Sequence, residues 1–321
     1  MMHRRHLALA ALPLLARPAL AQGGAWPSRP IRLVVPFAPG GTTDVVGRLV
    51  AERLGARLGQ PIVVENRPGA GATIGAQAVA RAEPDGHMLL VSSSTSHGVS
   101  PALYPTIAYD ALRDFTHIAM IARSPSVLLV NPANPARTLD DFAAAARAAG
   151  EIRFAVAGIG TSSHLAGVRL AMALGVRTES IPYRGAGPAL SDLIAGVVPA
   201  MLDSLPSSGP HVRAGALRAL AVSAAERTDA LPGVPTLREG GLDVVSYAWF
   251  GISGPAGLPP AITTRLSQEI RAVLADPPTR GRLEELGGAP PDTTPESYTA
   301  FVRDELAAFA PLVRAAGLRP Q

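Results

Sequence analysis

The sequence predicts an α/β protein of two domains with a ligand cleft between them. Three observations predict it. Residues 31–58 read as a buried strand, a tight glycine-rich turn and an amphipathic helix. Residues 152–174 repeat that device. A chain of 321 residues is long enough for two domains of ordinary size.

The first device sets the chemistry. Ile31–Phe37 is an apolar, β-branched run of the kind that forms a buried parallel strand. Val45, Val46, Leu49, Val50, Leu54 and Leu58 then recur at helical spacing. Between them lies Pro39-Gly40-Gly41-Thr42-Thr43-Asp44. The first amides of a helix have no intrahelical partner, and the macrodipole is positive there. Gly40 and Gly41 let an anion approach the backbone, and Thr42 and Thr43 add hydroxyl donors. Phe37, Pro39, Gly40, Gly41, Thr42, Thr43 and Asp44 are therefore candidate ligand residues, with Asp44 expected as a capping residue near the helix start.

The chain continues in α/β order. Gln60–Asn66 reads as a strand, and a Gly-rich loop leads to a helix from about Thr73 to Ala82. Its glycines read GxGxxxG and do not follow the first strand, which argues against a dinucleotide site. Met88–Val91 is a buried strand. Ser92-Ser93-Ser94-Thr95-Ser96-His97 follows, a hydroxyl cluster where open α/β sheets bind ligands, so Ser92, Ser93 and Thr95 are candidates. Phe115–Ala122 and Ser126–Val130 read as two strands, with residues 122–131 as the first crossover between domains. Thr138 is expected to cap a helix that ends at Gly150.

In the second domain Ile152–Ala157 is a strand and Leu165–Leu174 a helix. The turn between them supplies the candidates Gly160, Thr161, Ser162, Ser163 and His164. Two hydroxyl-rich helix starts facing one another would hold a carboxylate-bearing molecule. Strands are expected ending near Tyr183 and over Ala200–Asp203 and Arg218–Val222, with a helix at Ala189–Ala195 and a short one beginning at 232–236. Tyr183 is a candidate for the cleft or hinge, and Trp249 for hinge packing. Asp203 is a candidate to meet a ligand amino or hydroxyl group, or to bond within the protein. Residues 246–254 form the second crossover, and two tail helices, Pro260–Ala275 and Pro295–Ala316, return to the first domain. The expected division is 22–124 plus 252–321 for one domain and 125–251 for the other.

Composition excludes several classes. Hydrophobic residues are 47% of the chain and charged residues 17%, enough for a core and unlike a disordered chain. The net charge is +4, but three arginines lie in residues 1–21, which hold no acid, so the remainder carries +1. With no basic stripe, nucleic acid is not an expected partner. There is no cysteine, which excludes a disulfide, a thiol nucleophile and a cysteine zinc site. No HExxH or GxSxG pattern occurs, no cofactor or metal is expected, and Ser163 and His164 are adjacent, so they do not face one another on a helix. Arg4-Arg5, the apolar run Leu7–Leu15 and Ala19-Leu20-Ala21 read as a signal peptide, residues 1–21, cleaved after Ala21. No later segment reads as a membrane span. An exported, periplasmic and monomeric protein is expected.

The motifs together resemble a family. Val35–Asp44, Glu65–Gly71, Pro84–His87, Gly158–Gly167, Ile181–Ala189, Leu217–Val222, Leu231–Thr236 and Trp249-Phe250-Gly251 match, in order, the extracytoplasmic solute receptors of tripartite tricarboxylate transporters, the Bug or TctC-like receptors. The resemblance covers essentially the whole mature chain. It implies a type II periplasmic binding protein with two crossover strands. It also implies a small carboxylate ligand held by backbone amides and water in the loop Phe37 to Asp44, opposed by Thr161 to His164 with Asp203 at the cleft aspartate, and membrane subunits of a transporter as partners. A ligand-sensing module for a signalling system would read the same. An exported enzyme acting on a small acid would need a base and nucleophile that the sequence does not offer.

Overall fold

The computed structural model describes residues 26–104 and 106–318. The signal expected at residues 1–21, with its cleavage site, lies outside the described residues.

Two lobes share one strand. The first lobe holds β1 (Ile31–Val35), α1 (Thr42–Leu58), β2 (Ile62–Asn66), α2 (Thr73–Ala80) and β3 (Met88–Ser93). A five-residue π turn, Thr95–Val99, and α3 (Ser100–Leu103) lead to β4 (Phe115–Val130). The second lobe holds α4 (Leu139–Ala149), β5 (Glu151–Val156), α5 (Ser162–Leu174), β6 (Arg177–Pro182), α6 (Ala186–Ile194), β7 (Ala200–Ser204), α7 (Leu205–Arg213) and β8 (Arg218–Val222). β9 (Tyr247–Pro255) returns to the first lobe, followed by α8 (Pro260–Ala275), α9 (Pro277–Glu285) and α10 (Pro295–Ala315).

The two sheets have one topology. In the first lobe the order is β2-β1-β3-β9-β4; β1 pairs parallel to β2 and β3, and β9 runs antiparallel between β3 and β4. In the second it is β6-β5-β7-β4-β8; β5 pairs parallel to β6 and β7, and β4 runs antiparallel between β7 and β8. Each sheet therefore inserts one crossover strand beside its third strand. The duplication explains why the strand–turn–helix device occurs twice.

Each lobe buries its own core. Ile31, Leu33 and Val35 meet Val46, Val50 and Leu54 of α1 and Leu266 and Ile270 of α8. Leu128 and Val130 meet Phe142, Phe154, Leu170 and Leu202. Fully burying a side chain of this kind contributes roughly 1.5–3 kcal/mol before entropy is charged against it.

The structure corrects four expectations. Phe115–Val130 is one strand of sixteen residues, not two. Pro125, which donates no ladder hydrogen bond, lies between the two expected strands. It sits at the handover: Pro125 is the last β4 residue paired with β9, and Ser126 the first paired with β7. The segment at 232–236 forms no helix; Thr236 bridges Val222 instead, with Val222 N–H donating to the Pro235 carbonyl at 2.8 Å. Two prolines there remove helical donors. Helices α7 and α9 were not expected. α7 carries Pro206, Gly209 and Pro210, which lower helix propensity. α9 is capped by Asp276, whose side chain accepts from Thr279 N–H. α5 and α6 also begin earlier than expected, at Ser162 and Ala186.

Candidate ligand-binding site

The carboxyl edges of both sheets face each other, which is where open α/β sheets take ligands. A cavity of about 40 Å³ lies between them. The first lobe lines it with Phe37, Gly41, Thr42, Thr43, Ser93, Thr95 and Phe250; the second with Ala157, Thr161, Ser162, Ser163, Ala186, Asp203 and Ser204. That volume suits a carboxylate group or about three water-sized centres. A whole organic acid needs the lobes further apart.

Four helices start at this cavity. α1 is capped by Gly41 in an extended conformation (φ −84°, ψ 167°) with no side chain on its amides. In α5, Thr161 Oγ1 accepts from His164 N–H at 3.3 Å, and among the described residues the Ser162 and Ser163 amides have no protein acceptor. The Thr42 and Thr43 amides are equally unclaimed. α6 and α7 begin at Gly185 and Ser204, again without a side-chain cap bond. First-turn amides of this kind, with the helix dipoles behind them, favour an anion.

Among the described residues Asp203 is the one ionisable side chain in the lining. Burial pushes its carboxyl up to about 7; donation from the Ser207 hydroxyl and the Ser204 amide only partly offsets that. Ser207 Oγ donates to Asp203 Oδ2 and stands 2.7 Å from Thr42 Oγ1. Since the Ser207 proton is committed to the ionised carboxylate, Thr42 is then the donor across the cleft. Below about pH 7 the neutral Asp203 carboxyl has a proton of its own to offer.

The other sequence candidates lie off the lining. Asp44 Oδ2 accepts from Gly40 N–H at 3.0 Å, and its carboxylate also meets Arg48 and Asn66. Burial works to raise the Asp44 pKa, but those bonds outweigh it and hold the carboxyl below its usual range. Asp44 thus organises the loop, occupies the Gly40 amide and fixes the Phe37 carbonyl through Asn66. Pro39 meets the second lobe at Gly187. Ser92 bonds Ser253 and Tyr298 at 2.9 and 2.8 Å, behind the cleft. His164 Nδ1 accepts from Gly160 N–H at 3.0 Å, and burial lowers its pKa to about 4, so it is a neutral turn-former. The Tyr183 hydroxyl donates to Asp192 at 2.6 Å. Trp249, expected at the hinge, is buried on β9 and donates to Glu305 at 2.7 Å.

Sequence reasoning missed Ala157, Ala186, Ser204, Phe250 and the Ser207 bridge. Ser204 directly follows Asp203, and Ala186 sits within Gly185-Ala186-Gly187; both were available signals. Ser207 lies on the helix that its own sequence disguises.

The two-lobed fold, the shared strand β4 and the helix starts facing one cavity define a type II periplasmic-binding-protein receptor. Residues 46–318 match the model of the tripartite tricarboxylate transporter family receptor, TctC. The chain is 38% identical to protein BugT of Bordetella pertussis over 297 residues, 92% of this chain and 91% of that protein. It superimposes on R. palustris Rpa4515 with adipate at a TM-score of 0.89, with 34% identity, covering 92% of this chain and 100% of the other. It superimposes on MatC of Rhodopseudomonas palustris with bound malate at 0.85, with 36% identity, covering 90% and 100%. The chain belongs to the TctC receptor family. Proteins of this family are periplasmic solute-binding receptors of tripartite-type transporters and not enzymes. Among the described residues no helix is long and apolar enough to cross a membrane.

Proposed function

We propose that the chain captures a small dicarboxylate by lobe closure for a tripartite transporter. The carrying observation is the convergence of four helix N-termini on a cavity that holds no cationic side chain. One carboxylate takes the α1 amides of Thr42 and Thr43, and the second lobe closes with the amides of Ser162 and Ser163 and the hydroxyl of Ser204. Oriented amides hold the charge without the desolvation penalty of a buried arginine. Neutral Asp203 donates to a ligand oxygen. The adipate and malate of two relatives support the ligand class.

The moving bodies are 22–124 with 252–321 against 125–251, hinged where β4 passes between the sheets and where the chain re-enters the first lobe at β9. The closed form is the one membrane subunits would read.

Thermal unfolding against a panel of C4–C6 dicarboxylates, each with its diamide as control, tests this. A ligand at about a hundred times its Kd adds roughly 2.7 kcal/mol of stability. Stabilisation by an acid but not its diamide is expected. Equal stabilisation by both, or by neither across the panel, overturns the reading. An ammonium-bearing acid is the second reading, favoured by Asp203 lacking a cation; it predicts amino acids outrank dicarboxylates in the same panel.

A further inference from the structure

A second and larger cavity lies between the lobes and borders the cleft at Ser162. It encloses about 370 Å³, within the range of small-molecule sites, against about 40 Å³ in the cleft. One wall is a stripe of α5, with Ser162, Leu165, Arg169 and Met172 at spacings of three and four. The facing wall is a stripe of α10 that includes Phe301, Glu305, Phe309 and Leu312. The floor is Arg123 of β4 with Tyr247 and Trp249 of β9.

Its chemistry differs from that of the cleft. The walls are mainly apolar, and Met172 and Leu312 are left 60% and 39% exposed, although both are large and hydrophobic. Arg123 lies over the Tyr247 ring with Cζ 4.3 Å from its centre. Arg169 donates to the Val245 carbonyl at 2.8 Å. Among the described residues neither arginine forms an ion pair. Among the described residues Glu305 is the one acid in the lining, and its carboxylate is engaged by Trp249 Nε1 at 2.7 Å. Two guanidiniums against one acid leave the cavity short of one negative charge.

We propose that this cavity is a second binding site, which meets the cleft only at Ser162, for an aromatic monocarboxylate. The acid group answers the charge of Arg123 and Arg169, and the ring lies between Leu165 and Met172 on one side and Phe309 and Leu312 on the other. A monoanion neutralises the lining; a dianion would exceed it. An apolar body covers side chains that are otherwise exposed, which favours a ring over a purely polar acid.

The test uses 2-naphthoate as probe and 2-naphthamide as its neutral counterpart, titrated by calorimetry into the protein. Two variants place the site: Ala308→Trp, an exposed α10 position that fills the cavity, and Arg123→Met, which removes charge but keeps bulk. Naphthoate binding to the wild type is expected, at least tenfold weaker for naphthamide and at least tenfold weaker in each variant. Melting temperatures identify a variant that misfolds, and the other then carries the result. No binding of naphthoate at about 1 mM, where affinity is near −4 kcal/mol, overturns the proposal. So does binding that the folded variants leave unchanged, which would put the ring elsewhere, the main cleft included.

Discussion

Asp203 is 3% exposed and has no cation in the cavity lining beside it, so its proton is retained to about pH 7. An ionised Asp203 repels a carboxylate, and a neutral one donates to it. Dicarboxylate affinity is therefore expected to fall as pH rises through about 7, by up to tenfold per unit. Asp203→Asn keeps a donor and removes the titration, so its affinity should be flat over the same range; calorimetry at about one unit on either side of 7 compares the two. A wild-type profile as flat as the variant's would remove Asp203 from the site. Residue identity here was only half legible. Asp203 ended a readable strand, whereas Ser207, which donates to it and meets Thr42 at 2.7 Å, lies in a stretch with two prolines and a glycine that no propensity argument makes helical.

At the scale of elements, α5 shows how a cap serves both stability and the site. Thr161 satisfies the His164 amide, and the Ser162 and Ser163 amides stay open. Thr161→Ala is expected to cost about 1 kcal/mol of stability and to weaken ligand binding as well, read by denaturant unfolding and calorimetry. A stability loss with unchanged affinity would confine Thr161 to capping. The strand–turn–helix units were legible because an apolar run, a glycine turn and helical periodicity all agree. β4 was not legible as one strand. Pro125 is a ladder defect within a single sheet, but it is compatible with a strand that changes partners at that residue. The strand partners themselves, β9 beside β3 and β4 beside β7, bring together segments remote in sequence, and no local pattern encodes them.

Over the whole molecule, closure depends on the lobes approaching at backbone distance. A Cβ on Gly187 would overlap the Pro39 carbonyl of the other lobe, and one on Gly185 would stand 3.0 Å from the Ala38 nitrogen. Gly187→Val should let each lobe fold but hold them apart. Scattering should then show no ligand-induced compaction, and affinity should fall at least tenfold. Unchanged affinity would detach binding from closure. Stability should also respond to acid. Burial lowers His117 from 6.5 to about 4 and lowers His97 well below its usual value, with the His117 charge adding to that. Their contribution is complete above pH 6.5 and is lost as pH falls toward about 4, because the unfolded chain binds protons that the folded one refuses. Asp203 acts oppositely: raised from 3.8 to about 7, it adds stability below 3.8 that disappears as pH rises to about 7. Asp203→Asn should therefore steepen the acid loss between about 6.5 and 4, measured as melting temperature against pH; an unsteepened curve would contradict the shift assigned to Asp203.

Backbone amides at two facing helix starts are proposed to hold the ligand carboxylates. Amide NMR during titration with malate or adipate tests it most directly, whichever of the two stabilises the protein against heat. Downfield proton shifts are expected at Thr42 and Thr43 together with Ser162 and Ser163, saturating at one ligand concentration. Saturable binding that leaves those four amides unmoved would contradict it.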